Sequence, residues 1–295
     1  MGAAEGRAFG RRPGQVLRFS KYEALGNDYL VVESAEVGGL LSAAFVRRLC
    51  DRHLGVGADG LLVSGAASSD FSIRIFNPDG SEAEKSGNGL RIYARYLWDL
   101  DRVGGEPFAI RTAGGVVRCR VAPTGEAVSV AMGRVSFWSR DIPVVGPDRE
   151  VLREPLDVER ERLEISAASI GNPHCVVITP EASPRVAKEL GPRIETHPAF
   201  PQRTNVQFVQ LLGRDAIAIE IWERGAGYTL ASGTSSCAAA AVCHRLGLCA
   251  PAVTVEMPGG KLYVEIAGDD SVSITGPARC VAEGQLSREF LNGAG

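Results

Sequence analysis

The stretch Ser86-Gly87-Asn88-Gly89 opens an apolar run through Leu90, Ile92, Tyr93, Tyr96 and Leu97. A second stretch, Ser232-Gly233-Thr234-Ser235, opens another through Cys237, Ala240, Ala241 and Leu246. Each reads as a polar, glycine-bearing turn feeding the N-terminus of a buried helix. Such a terminus offers unpaired backbone N–H groups and positive dipole density, which together seat an anion. Two of them in one chain point to a single carboxylate held from both sides.

The two openings belong to a repeat of half the chain. Ser86 and Ser232 stand 146 residues apart. Gly26-Asn27-Asp28-Tyr29-Leu30-Val31-Val32 resembles Gly171-Asn172-Pro173-His174-Cys175-Val176-Val177 at an offset of 145. The Gly-Gly turn at Thr112-Ala113-Gly114-Gly115 returns 145 residues later as Met257-Pro258-Gly259-Gly260. Self-similarity at a fixed offset marks duplicated structural units.

Each half then reads alike. A strand carries the Gly-Asn element and a helix follows, over Ala43 to Asp51 and over Pro184 to Leu190. Next comes an alternating strand, Phe71, Ile73 and Ile75 in one half and Ile217, Ile219 and Ile221 in the other. The buried helix precedes a hairpin, Phe108 to Val121 and Val253 to Ile266. Antiparallel strands with one very apolar helix are satisfied when the sheet curls around that helix. The run Ala238 to Ala241 suits this, because small residues let strands approach closely. The expected fold is α+β, two pseudo-symmetric lobes, each a curled, mostly antiparallel sheet wrapped around a central helix. The lobes are expected over residues 16–132 and 133–276, with 277–293 returning to the first and 1–15 a disordered tail. The charged segment Asp148 to Glu164 is expected to be an exposed excursion plus an edge strand.

Composition excludes several classes. A chain of 295 residues with 45% hydrophobic and 23% charged residues has room for two globular cores. A net charge of −3 and the lack of a basic-aromatic patch argue against nucleic acid. No apolar run is long enough to cross a bilayer, so no membrane partner is expected. Seven scattered cysteines do not read as a disulfide framework and fit a reducing cytoplasm. Asp51, His53 and Asp59 lack the spacing of a metal site. Arg91 and Arg95, on the first buried helix, are expected to emerge at its far side as solvated charges.

Five segments together carry a resemblance: Ala24 to Tyr29, Phe76 to Glu82, Ser86 to Arg91, Gly171 to Cys175, and Glu223-Arg224-Gly225-Ala226-Gly227. In order and spacing they resemble the diaminopimelate epimerases, over nearly the whole chain from Phe19. The resemblance implies inversion at an amino acid α-carbon with no cofactor: no metal, flavin or pyridoxal phosphate. It implies a small amino acid as partner, and a homodimer is a common assembly for such folds. One thiolate removes the α-proton in that chemistry, and a thiol on the opposite face returns one. The family's two catalytic cysteines fall at Ser86 and Ser232, and Tyr228 stands where a Glu is usual. Cys237 lies five residues into its helix and reads as a small buried residue.

The resemblance places His174 and Glu223 near the reacting carbon, supporting the two catalytic positions. It places Asn27, Asn77, Asn172 and Asn205 against substrate, with Arg224 forking onto a carboxylate. It aims the N–H groups of Gly87, Asn88, Gly233 and Thr234 at substrate. Each has a plainer reading. The asparagines suit turns, both serines suit helix N-caps, and a lone histidine near an apolar strand is often structural. Three readings of the whole stay open. The first is an epimerase or related isomerase with His174 and Glu223 as its bases or as activators of the serines. The second is an epimerase arrested by Cys→Ser exchange, and the third a silent amino-acid-binding protein. A serine hydroxyl stays protonated at neutral pH, whereas a thiol titrates near 8.5, so the first reading needs partner bases.

Overall fold

The computed structural model describes residues 17–65 and 71–293. The tail expected over residues 1–15 lies outside the described residues. The first half contributes β1 (Arg18–Ala24), β2 (Asn27–Glu33), α1 (Ser34–Val37), α2 (Ala43–Cys50), β3 (Leu61–Ser64) and β4 (Phe71–Phe76). It continues through β5 (Glu82–Ala83), α3 (Gly87–Asp99), β6 (Phe108–Thr112), β7 (Gly115–Val121) and β8 (Val128–Arg134). The second half runs through β9 (Glu154–Val158), β10 (Glu161–Ser169), β11 (Pro173–Ile178), α4 (Pro184–Glu195), β12 (Asn205–Leu211) and β13 (Ala216–Glu223). Then come β14 (Gly227–Thr229), α5 (Gly233–Arg245), β15 (Ala252–Met257), β16 (Gly260–Ile266) and β17 (Ser271–Gly276). The chain closes with β18 (Arg279–Gln285) and α6 (Arg288–Asn292).

Strand order repeats between the halves. β1–β2 is antiparallel, β2–β3 parallel, β3–β4 antiparallel, β4–β6 parallel, and β6–β7–β8 an antiparallel meander. The second half copies each step as β10–β11, β11–β12, β12–β13, β13–β15 and β15–β16–β17. β18 pairs with β1, and β9 is an edge strand on β10. The two sheets join where β8 runs antiparallel to β17, with Ser129 opposite Thr275 and their hydroxyls 2.8 Å apart. Those two residues are 146 positions apart, so the pseudo-two-fold axis passes between them.

Each sheet is amphipathic across its thickness. On β15, Val253, Val255 and Met257 are buried while Thr254 and Glu256 are half-buried, the period-2 signature of a one-sided strand. The inner faces enclose α3 and α5, whose apolar residues share one continuous core. Ala238, Ala239, Ala240 and Ala241 are all buried there. Outside the first sheet, Phe45, Val46 and Leu49 of α2 cover Leu30, Val32, Leu61 and Val63. Outside the second, Ala187, Leu190 and Ile194 of α4 cover Ala167, Cys175, Val177, Val206 and Phe208.

Two local expectations are revised. α4 does not stop at Leu190 but runs through Pro192 to Glu195. Gly191 lets it press on Trp222, where an added Cβ would fall 2.6 Å from the Trp222 Cβ. The charged segment is not wholly solvated either, because Val151, Leu156 and Val158 turn inward under α4. All seven cysteines are free thiols, six of them buried. Among the described residues no helix is long and apolar enough to cross a membrane.

Candidate active site

The two central helices meet end to end. Both run for 13 residues from a serine N-cap, and their first residues, Gly87 and Gly233, are buried. Ser86 Oγ accepts the Gly89 N–H at 3.1 Å, and Ser232 Oγ accepts the Ser235 N–H at 3.5 Å. A capping oxygen satisfies one orphan donor of the first turn and leaves its hydroxyl proton free. Two positive helix ends therefore converge beside the join of the sheets, each carrying a hydroxyl.

In the first half, successive same-face residues of β2 reach this point. Asn27 is held by Asp59, its Nδ2 donating to Asp59 Oδ2 at 3.1 Å. Asn27 Oδ1 in turn accepts from Asn88 Nδ2 at 3.1 Å, and Asn88 Oδ1 accepts from Arg91 Nη2 at 2.8 Å. An amide alone leaves its orientation open. Here Arg91, a pure donor, and Asp59, a pure acceptor, sit at opposite ends and fix both amides. Two residues beyond Asn27, the Tyr29 hydroxyl lies 3.5 Å from Ser86 Oγ. Asn77 stands apart, exposed in a tight turn, its Nδ2 donating to Ser81 Oγ at 3.0 Å.

Arg91 contradicts the expectation of a solvated charge. It is 0% exposed. Nη1 donates to Gly87 O at 3.4 Å and Nε to Pro277 O at 3.4 Å. A Cβ on Gly233 would lie 3.9 Å from Nη1, which sets the guanidinium between the helix ends. Burial lowers its pKa to about 10, so it stays charged at neutral pH, and no carboxylate among the described residues pairs with it. The helical period places position 91 on the face toward the other half, and an arginine there gave no sign of that in composition. Arg95 does reach the margin, paired with Asp99 at 2.9 Å.

The second half presents the pseudo-equivalent positions with different chemistry. His174 occupies the place of Tyr29, Asn205 that of Asp59, and Glu223 that of Asn77. His174 is fully buried, with Nε2 2.9 Å from Asn172 Oδ1. Burial drives its pKa down to about 3, with the Gln207 carboxamide pulling the other way, so the imidazole is neutral at pH 7. Asn205 Nδ2 donates to Pro173 O at 2.8 Å while its Oδ1 accepts the Arg224 N–H at 3.0 Å. That contact ties the start of β12 to the turn after Glu223.

Burial raises the Glu223 carboxyl above its ordinary range, against the pull of the adjacent Ser232 hydroxyl. A carboxylate so placed can accept a proton from Ser232 or from a ligand beside it. Arg224 is exposed, with Nη1 donating to Gln202 O at 3.0 Å. Thr234 Oγ1 lies 3.5 Å from Ser232 Oγ. Tyr228 points away, its hydroxyl donating to Glu220 Oε2 at 2.7 Å. Cys237 is buried inside α5, and burial pushes its thiol up to about 12.

Ser86, Gly87, Asn88 and Asn27 are thus gathered in one half, and Ser232, Gly233, Thr234 and Glu223 in the other. His174 is tied to Asn172, and Asn205 to the Arg224 backbone; Asn77 and the Arg224 guanidinium lie toward solvent. Tyr29 and Gln207 carried no site role in the sequence, and Asp59, weighed there only as a metal ligand, instead orients Asn27. Strand periodicity held the signal for two of them, since Tyr29 shares a face with Asn27, and Gln207 shares one with Asn205.

Known proteins resemble this chain in sequence and in fold. The model of the family described as diaminopimelate epimerase matches residues 19–138 and 166–281. The diaminopimelate epimerase 2 of Nostoc sp. is 52% identical over 277 residues, covering 93% of this chain and 97% of its own. A hydroxyproline epimerase from Agrobacterium vitis superposes with a TM-score of 0.65 over 92% of this chain and 91% of its own, at 17% identity. A phenazine biosynthesis protein of the PhzF family from Bacillus anthracis does so with a TM-score of 0.64 over 92% of this chain and 99% of its own, at 17% identity. The solved structures share the mirrored two-lobe fold, and the sequence relatives carry the identity through it: the chain belongs to the diaminopimelate epimerase family.

Proposed function

We propose that this protein is a cytoplasmic diaminopimelate epimerase that inverts one α-carbon of LL-diaminopimelate to give the meso form. The observation that carries this reading is the abutment of two serine-capped helix N-termini at Gly87 and Gly233, with Glu223 beside one of the serines. The α-carboxylate is seated between those ends, on the N–H groups of Gly87, Asn88, Gly233 and Thr234. The chemistry is severe because the α-proton is a very weak acid. Directed N–H dipoles and the Arg91 charge, fixed before substrate arrives, stabilise the enediolate as it forms.

Glu223 removes the α-proton on its face, directly or as Ser232 passes its own proton to the carboxylate and takes the substrate's. The electron pair of the C–H bond then delocalises into the carboxylate as the enediolate. Collapse with a proton arriving from the Ser86 face gives the inverted centre. His174, neutral through burial, holds Asn172 without adding a charge of its own. Seven free thiols fit a reducing compartment.

Proton NMR of LL-diaminopimelate with this protein in D₂O tests the reading. Loss of the α-proton signal together with appearance of the meso form is the expected result. Binding without exchange would instead identify a site arrested by its two serines.

A further inference from the structure

Resting on the epimerase reading, we propose that Tyr29 positions Ser86 and supplies, through it, the proton that reaches the second face of the substrate carbon. The geometry singles this residue out. Tyr29 is 6% exposed on β2, its hydroxyl 3.5 Å from Ser86 Oγ. It also occupies the pseudo-equivalent place to His174, 145 residues later. Ser86 Oγ already accepts the Gly89 N–H, so its own proton is free to leave toward substrate while the phenol's follows. No other side chain is hydrogen-bonded to Ser86 among the described residues.

The transfer balances. The carbanion's electron pair takes the Ser86 proton, the Ser86 oxygen takes the Tyr29 proton, and the O–H electron pair remains on the phenolate oxygen. A phenol is a better acid than an unassisted serine hydroxyl. Burial pushes the Tyr29 pKa up to about 12; the hydrogen bond with Ser86 pulls it down, and the charges of Glu223 and Asp59 add smaller upward pushes. That repulsion couples the two faces. Once Glu223 has accepted the substrate proton it is neutral, and Tyr29 becomes easier to ionise at the moment its proton is needed. In the reverse direction the phenolate is the base and Glu223 the acid.

Tyr29→Phe removes one oxygen from a buried ring and keeps its volume. From the stereoisomer that turns its α-proton toward Glu223, the variant is expected to exchange that proton with D₂O at nearly the wild-type rate. Inversion, however, falls by on the order of 100-fold. From the opposite stereoisomer, exchange and inversion fall together. A thiol at position 86 titrates near 8.5 and has no use for the phenol, so Tyr29→Phe in a Ser86→Cys background should leave the rate within about 3-fold of Ser86→Cys alone. Equal inversion in wild type and Tyr29→Phe, or an equal loss of exchange and inversion from both stereoisomers, overturns the inference while the epimerase reading stands. A wild-type protein that exchanges no α-proton overturns that reading and this inference with it.

Discussion

A Cβ built on Gly233 would lie 3.5 Å from the Gly87 Cα and 3.0 Å from Ile274 Cδ1. The first residues of the two helices therefore meet backbone to backbone, with Ile274 and the Arg91 guanidinium packed against the seam. Any methyl group at this seam has to be accommodated by the helix ends or by β17. The closeness matters for binding, because dipole fields fall off within about one helical turn. Only ends this close act on the same carboxylate.

Gly233→Ala should therefore damage both stability and substrate affinity. Overpacking a filled site costs roughly 1–3 kcal/mol, and here the neighbours that must yield are the other helix and an Ile of the joining strand. Urea unfolding should show a lower midpoint at unchanged slope, and calorimetry should show weaker diaminopimelate binding. Wild-type affinity in the variant would mean that the seam is not the anion seat.

Restoring thiols at Ser86 and Ser232 should raise the epimerisation rate. A cysteine titrates near 8.5, and each position is an N-cap, where the helix dipole favours a thiolate. The comparison is between the wild-type rate and that of Ser86→Cys/Ser232→Cys on LL-diaminopimelate. No gain in the double variant would count heavily against diaminopimelate as the substrate.

Much of this architecture was legible because it was written twice. The offsets of the Gly-Asn strands, the serine caps and the Gly-Gly hairpins located β2 and β11, α3 and α5, and the β6–β7 and β15–β16 turns. Their agreement implied the curled sheets. Tertiary contacts decided what the repeat could not. Leu190 looks like a helix end because Pro192 follows, yet the Gly191–Trp222 contact carries α4 onward. Arg91 looks like a surface charge, yet its acceptors come from the first turn of its own helix, Gly87 O and Asn88 Oδ1, and from Pro277 O, 186 residues away. Tyr29 was passed over because a tyrosine inside an apolar strand reads as core, which by burial it also is.

Stability should depend on pH through His174. The unfolded imidazole takes a proton near pH 6.5, whereas burial keeps the folded one neutral down to about pH 3. Between those values the unfolded state holds more protons. The stabilising effect is thus fully present above 6.5 and is lost as pH falls, at up to about 1.4 kcal/mol per pH unit. Urea midpoints of wild type and His174→Asn between pH 7 and 5 check this, a window that largely avoids carboxylate titration. Wild type should lose stability on acidification faster than the variant. Parallel curves would place the imidazole in contact with water.

Arg91 should prove sensitive to shape as well as charge. Its fork serves Gly87 O, Pro277 O and Asn88 Oδ1, three acceptors in different directions around a site that solvent does not reach. Lysine keeps the charge but cannot hold all three in that geometry. A buried acceptor left unpaired costs about 1–3 kcal/mol, so Arg91→Lys should unfold at lower urea. Arg91→Met strands every acceptor and removes the positive charge from the helix seam, so it should be less stable still. Binding should separate the two variants more sharply. With the ammonium retained, Arg91→Lys should keep most of its affinity for diaminopimelate, whereas Arg91→Met should lose at least about 10-fold, or 1.4 kcal/mol. The calorimetric order wild type, Arg91→Lys, Arg91→Met tests whether the buried charge acts on the ligand. Equal affinity in the two variants would reduce Arg91 to a packing residue whose fork only orients Asn88.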